Sequence, residues 1–498
     1  MIAVLPLLFI GALTFVEQNI ADDVTAGLRH ADLDRDGSAD LILPSAVYFQ
    51  RNGGFSQDGR VLLPDIKEAA SNNAMERPIC DVWNDTLFIL SNTTLYLIRW
   101  ENGAWQTVHS QPLTLPGPRQ VSLEMAFPPQ LRRPLTAEQE FHMQRFLRDI
   151  NGDGVPEIML FGEDALHVFR KNEQGYVEAD KLNVYPPFQV GPAWPPTKPP
   201  WPEGERKAVL PYREIECLCN FSGNRLMVIT EERLKDHRVR YRAKHYELDQ
   251  GFGVIPEKTC EEVTEPLPGW FRPMPPGKDG YVNYGGYVQD EATTSAIPVP
   301  ILEVRVTSDG GKTFQGVRAA SSEIIDEFAD LDGDGKPDIA MYRSDLFDGG
   351  VRETVARFLT ALELNEELRI YLQDGAGCFP DEPSIVFPFK LKLDKPLATG
   401  GGLRHSRDTC TLRGDFDGDG HFDLLLASSP DELSVHLFEG DSFSKAASAV
   451  LEVKDNESCA IADVDGDGRS DIIVTGLDYS REGFTPRSRL FLSREAAP

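Results

Sequence analysis

Five nine-residue stretches of this chain carry oxygen-bearing side chains at the same four positions. They are DLDRDGSAD from Asp32, DINGDGVPE from Asp149, DLDGDGKPD from Asp330, DFDGDGHFD from Asp415 and DVDGDGRSD from Asp463. Positions one, three, five and nine are Asp32, Asp34, Asp36 and Asp40 in the first copy, and Asp149, Asn151, Asp153 and Glu157 in the second. The remaining copies supply Asp330, Asp332, Asp334 and Asp338; Asp415, Asp417, Asp419 and Asp423; and Asp463, Asp465, Asp467 and Asp471. Nineteen of the twenty side chains are carboxylates. Alternate residues can face one centre, the glycine at position six permits a sharp turn, and the ninth acid closes the shell. An all-oxygen shell of this kind suits a hard divalent cation, and calcium is the expected ion, at four or five sites.

The residues that follow decide what positions these loops. LILP, IMLF, IAMY, LLLA and IIVT begin at or just after the ninth residue. Short apolar runs rich in branched residues read as buried strands. An EF-hand loop ends in Glu at position twelve and sits between helices, so it does not fit. The loops here join strand to strand.

Around each loop the chain repeats a longer unit. RFLRDINGDGVPEIMLFGEDALHVFRKNEQGYV gives its order: strand, Asp loop, apolar strand, turn, aromatic strand, Gly-aromatic ending. These features resemble the FG-GAP/VCBS repeat of integrin α-subunit N-terminal domains and of many bacterial secreted proteins. Two further stretches, from Ile79 and from Glu214, keep the frame without the metal loop. The resemblance implies an all-β, seven-bladed β-propeller with calcium-binding Asp loops and loop insertions on one face. Its units are expected to start near 22, 76, 141, 207, 321, 405 and 455, within a domain covering 22–498. Residues 111–140, 184–206 and 261–320 would follow fourth strands, and 345–367 a second strand. In a propeller both kinds of connection lie opposite the Asp loops, on the face where the resemblance places ligands.

The insertions include Pro- and Trp-rich runs that exclude regular structure. Trp194, Trp201, Trp270 and Tyr284 are the candidate ligand-face residues, since loop aromatics stack on sugars or anchor protein partners. Residues 352–364 have helical spacing. TSDGGKTF, Thr307 to Phe314, resembles the Asp-box hairpin of sialidases, where that element is structural.

The chain has 498 residues, 41% hydrophobic, and a net charge of −29, which argues against nucleic acid and anionic membrane as partners. Ile2 to Val16 form an uncharged, largely apolar stretch, too short for a membrane span and placed like a secretory leader. The leader is expected to occupy 1–21, with a cut between Ala12 and Ala21, and the mature protein to be extracellular or periplasmic. Cys80, Cys217, Cys219, Cys410 and Cys459 hold equivalent pre-loop positions, which reads as small buried residues rather than a disulfide framework.

No HExxH, GxSxG or phosphate-cradling glycine loop is present, and nine histidines lie without ligand spacing. The expectation is a non-enzymatic binding or adhesion module for a protein or glycan. The alternative is a polysaccharide-active enzyme, a lyase or glycosidase on the same scaffold, for which the insertions offer Lys198, Arg272 and Lys278 but no basic cluster.

Overall fold

The computed structural model describes residues 13–20, 29–66, 78–91, 93–113, 142–143, 145–161, 166–182, 219–222, 225–233, 239–247, 249, 260–263, 272–274, 282–288, 301–307, 315–320, 323–324, 330–332, 334, 336, 338–347, 350–374, 378–399, 410–454, 457–478 and 485–495. These residues form antiparallel β-sheets and one sizeable helix.

Among the described residues, seven sheets have four strands and an eighth has five; each is built on four antiparallel neighbours, and we number them along the chain. Sheet 1 is Arg29–Ala31, Asp40–Ile42, Ala46–Tyr48 and Arg60–Leu62. Sheet 2 is Ile79–Trp83, Thr86–Leu90, Thr94–Glu101 and Ala104–Pro112, with His142–Met143 added parallel to its first strand. Sheet 3 is Leu147–Arg148, Glu157–Phe161, Leu166–Asn172 and Gly175–Leu182. Sheet 4 is Cys219–Ser222, Arg225–Arg233, Val239–Glu247 and Cys260–Val263; sheet 5 is Arg272–Met274, Val282–Val288, Ile301–Thr307 and Gln315–Ala320. Sheet 6 is Glu323–Ile324, Ile339–Ser344, Glu363–Tyr371 and Ile385–Lys392. Sheet 7 is Cys410–Gly414, Asp423–Ser429, Glu432–His436 and Ala449–Glu452. Sheet 8 is Ser458–Ala462, Asp471–Asp478 and Thr485–Glu495, completed by Leu13–Ile20 from the other end of the chain.

Sheet 5 corrects the unit count. Residues 261–320 were expected to be an insertion, yet 272–320 carry four strands of their own. The sheet has no Asp loop and its first strand contains Pro273, so neither the metal signature nor strand propensity announces it. The TSDGGKTF stretch joins its third and fourth strands, the position of a hairpin.

The second strands explain why their sequences are apolar throughout. Successive side chains of a strand point to opposite faces. Leu424 and Leu426 pack with sheet 6, while Leu425 and Ala427 pack with sheet 8. Likewise Ile473 faces sheet 1, whereas Ile472 and Val474 face sheet 7. Leu87 and Ile89 meet sheet 1 and Phe88 and Leu90 meet sheet 3. Sheets 6, 7, 8, 1, 2 and 3 are therefore joined by shared cores in that order, and the order runs through the sheet that holds both chain ends.

The end-joining strand lies inside the stretch read as a leader. Leu13–Ile20 pairs in register with Ser488–Glu495, from Leu13↔Glu495 to Ile20↔Ser488. Leu13 and Ile20 are buried, the ring of Phe15 meets that of Phe416 edge-on at 6.0 Å, and Gln18 Oε1 accepts the Phe55 N–H at 2.7 Å. A cut after Ala21 would remove this strand; a cut after Ala12 would leave it whole.

The helix α1, Gly350–Thr360, stands between the second and third strands of sheet 6. Helical spacing led to the expectation of 352–364, but Leu364 is buried with Leu391 and Leu393 and belongs to the third strand. Cys80, Cys219, Cys410 and Cys459 all lie on first strands, and Cys80, Cys378, Cys410 and Cys459 are free thiols. No helix among the described residues is long and apolar enough to cross a membrane.

Candidate metal centres

Every Asp loop connects the first and second strands of its sheet, in sheets 1, 3, 6, 7 and 8. Its turn requires two left-handed residues. Position six is Gly37, Gly154, Gly420 and Gly468 at φ of 90°, 82°, 92° and 88°. Position four is Gly152, Gly418 and Gly466 at 75° to 78°, but Arg35 at 61° in the first loop. A side chain there is strained, and the Arg35 guanidinium donates to Asp85, in the first turn of sheet 2, with Nε at 2.5 Å.

The first carboxylate collects the turn's N–H groups. Asp415 Oδ1 accepts from Gly418 and Asp419 at 2.7 and 3.1 Å, and Oδ2 accepts from Gly420 at 2.9 Å. Asp463 and Asp149 do the same in their loops.

The ninth acid does more than close the shell. Asp40, Asp338, Asp423 and Asp471 are at most 1% exposed, and each accepts two backbone N–H bonds. One comes from position two of its own loop: Leu33, Leu331, Phe416 or Val464, at 2.7 to 2.9 Å. The other comes from the end of the third strand or just beyond it: Gln50, Gln373, Phe438 or Ser493, at 2.8 to 3.0 Å. Each therefore pins its loop to a strand two places away. Burial pushes all four carboxyls up to about 7, against those N–H bonds, and the neighbouring loop carboxylates push the same way.

Four loops gather three carboxylate oxygens within 4.8 Å of one another. The trios are Asp32, Asp34, Asp36; Asp330, Asp332, Asp338; Asp415, Asp417, Asp423; and Asp463, Asp465, Asp471. A calcium ion holds oxygens at about 2.3–2.6 Å, so ligands on opposite sides of it stand about 5 Å apart. The donor set and its spacing therefore fit one divalent ion per loop. Asp40 is outside its trio, as are the fifth-position Asp334, Asp419 and Asp467. The loop from Asp149 is not among the four. There the Asn151 amide nitrogen donates to Asp153 at 2.9 Å and to Glu157 at 3.2 Å, filling the centre with a donor.

The loops of adjacent sheets touch. Asp415 and Ser470 exchange two hydrogen bonds, at 2.7 and 3.0 Å. Gln50 Nε2 donates to the Asp465 carbonyl at 3.2 Å, linking sheets 1 and 8. The metal loops of sheets 7, 8 and 1 thus share one rim. In sheet 6 the loop at the start of strand Ile339–Ser344 and α1 beyond its end lie at opposite ends of that strand. On α1 and the turn after it, Val355, Phe358, Leu359 and Leu362 are 42–55% exposed.

Of the candidate ligand residues, Trp194, Trp201 and Trp270 lie outside the described residues, as do Lys198 and Lys278. Tyr284 is on the second strand of sheet 5, opposite Pro273 and Arg305, and not on a loop; Arg272 is on the first strand. Sequence reasoning missed Gln50, Gln373, Phe438 and Ser493, because their contact is through backbone N–H and carries no residue signature. It also missed Arg51 and Arg494, which reach the loops from variable distances along the chain.

Residues 415–474, which span two of the Asp loops, match the model of the FG-GAP-like repeat family. No curated protein matches the chain. Among solved structures, the V. cholerae biofilm matrix protein Bap1 is similar at 11% identity and a TM-score of 0.26, over 95% of this chain and 77% of that one. The N-terminal domain of Nup159 is similar at 8% identity and a TM-score of 0.28, over 84% of this chain and 91% of the other. Likenesses this loose carry no argument about fold or activity.

Proposed function

We propose that this chain is an exported, calcium-stabilised, non-enzymatic binding module for a protein or glycan. Its eight sheets would form the blades of a propeller resembling that of integrin α-subunits, with sheet 8 closing the ring from both chain ends. The observation that carries the reading is a division of labour between the two ends of the strands. At one end the carboxylates tie loop backbone to strand backbone and gather oxygens for an ion. That arrangement is structural. Bound calcium would supply charge neutralisation there and no reaction step. At the other end of sheet 6, α1 leaves apolar side chains in solvent, and exposed apolar patches mark interaction surfaces. The insertions carrying Trp194, Trp201 and Trp270 belong to the same proposed face. Export follows the chemistry of the sites, since calcium is abundant outside the cytosol, and it puts leader cleavage at Ala12, ahead of the closing strand.

The test is a glycan array and a matrix-protein binding screen with the calcium-loaded chain, paired with an activity screen on acidic polysaccharides. Saturable binding, weakened by Phe358→Ser and Leu359→Ser with melting unchanged, is the expected result. Depolymerisation of a polysaccharide would overturn the non-enzymatic reading.

A further inference from the structure

The end of sheet 6 that lies away from its Asp loop carries an open cavity of about 510 Å³, within the range of about 300–1,000 Å³ common to small-molecule sites. Three strand ends line it. Arg343 and Asp345 come from the end of the second strand, Asn365 and Glu367 from the start of the third, and Pro388 and Lys390 from the end of the fourth. Arg343 pairs with Glu367, Glu367 with Pro388 and Asn365 with Lys390, so these side chains share one face of the sheet. The opposite face packs with sheet 7 through Tyr342, Leu368 and Phe387.

The charges around this cavity are matched. Glu367 receives Arg369 at 2.6 Å and Arg343 at 3.5 Å, and Glu363 receives Lys390 at 2.6 Å. Arg357, from α1, stands 3.4 Å from Asp345. With buried Glu366, whose Oε1 accepts the Ser344 hydroxyl at 2.7 Å, four acids stand among four bases. An anion or a cation therefore gains little net attraction here. Asp345 is fixed further by Asn365, whose backbone N–H and side-chain amide donate to it at 3.2 and 2.8 Å. That leaves Asn365 Oδ1 as an open acceptor. Lys390, with one of its three N–H groups spent on Glu363, is an open donor directly across the strand pair. Both side chains are exposed.

Resting on the binding-module reading above, we propose that this cavity is a glycan site and takes a neutral, polyhydroxylated sugar residue. A hydroxyl both donates and accepts, so neighbouring hydroxyls on a sugar ring can use Lys390 Nζ as donor and Asn365 Oδ1 as acceptor. Pro388 and the aliphatic stems of Arg343 and Lys390 offer apolar surface to the ring's C–H groups. The ion pairs hold the polar groups in place beforehand, so less side-chain freedom is lost when the ligand arrives. Arg357 donates to the Asp345 carbonyl as well, which ties the cavity to α1. The exposed apolar side chains of that helix then stand beside the sugar site, on the same end of the sheet.

The experiment is calorimetric titration of the calcium-loaded full chain with the methyl glycosides of glucose, galactose and mannose and with neutral oligosaccharides made from them. Heparin and polylysine serve as charged controls, and a matrix-protein binding screen runs alongside. Saturable binding of a neutral sugar is expected, weakened by roughly tenfold in N365A and in K390A with melting unchanged. K390Q, which keeps an N–H donor, should recover part of the loss. Neutral-sugar binding that neither alanine variant weakens would overturn the site. Tighter binding of heparin or polylysine, lost in the same variants, would overturn the neutral class. Absence of any sugar binding while a matrix protein still binds would end this proposal and leave the binding-module reading standing. Absence of binding of every kind would end both.

Discussion

Removing the first 21 residues should cost this protein a large part of its stability, whereas removing the first 12 should cost little. The two cuts differ by the strand Leu13–Ile20. Its burial of Leu13 and Ile20, 5% and 3% exposed, is worth about 1.5–3 kcal/mol each. The edge-on contact of Phe15 with Phe416 at 6.0 Å adds about 0.5–1.5 kcal/mol. Its backbone bonds, net about 1 kcal/mol each, are offset by the entropy of ordering the strand, about 1–2 kcal/mol per residue. The side chains decide, and the loss is about 4–7 kcal/mol. Natural domains have about 5–15 kcal/mol in total. The cut also exposes the edge of Thr485–Glu495, inviting self-association. Urea denaturation of the chains beginning at Leu13 and at Asp22, both in calcium, measures the difference. Equal midpoints would refute the closing role of this strand. N-terminal sequencing of exported protein is the companion check, with Leu13 the expected first residue.

Other outcomes follow from the loops and the opposite rim. Asp417→Asn should lower melting in calcium by an amount that vanishes in chelator, because Asp417 belongs to the oxygen trio and not to the backbone tether. Burial holds Asp40, Asp338, Asp423 and Asp471 at about 7, above the usual 3.8, so the metal-free fold binds more protons than the unfolded chain between those values. Metal-free stability should therefore be greatest below pH 4 as far as these groups decide it, and be lost as pH rises through 7. Saturating calcium should reverse that slope, since the ion binds the ionised form; parallel pH profiles with and without metal would contradict this. Phe358→Ser and Leu359→Ser, at half-exposed positions, should change stability by no more than about 0.5 kcal/mol, read by thermal melting.

The Asp loops and the strands after them were legible because both signals are local. Carboxylates at alternate positions and an apolar run serving two cores, as at Leu424–Ala427, show in any single repeat. Units without a metal loop were readable where the strand frame survived, as from Ile79. Sheet 5 was not, because prolines break its pattern and no acid marks its first turn. The closing strand was hidden for a different reason. An apolar N-terminus reads as a leader, and its partner, Thr485–Glu495, lies at the far end of the chain. Arg51 lies beyond its short third strand and Arg494 inside the end of a much longer one, so no fixed spacing connects them to their loops.

The central claim is that the Asp loops bind calcium and hold strands together through it. Thermal melting of the chelator-treated chain, before and after calcium or magnesium is returned, tests it most directly. Calcium should raise the melting temperature clearly and magnesium much less, since Mg²⁺ demands a tighter octahedron than these loops offer. A melting temperature indifferent to calcium would contradict the account.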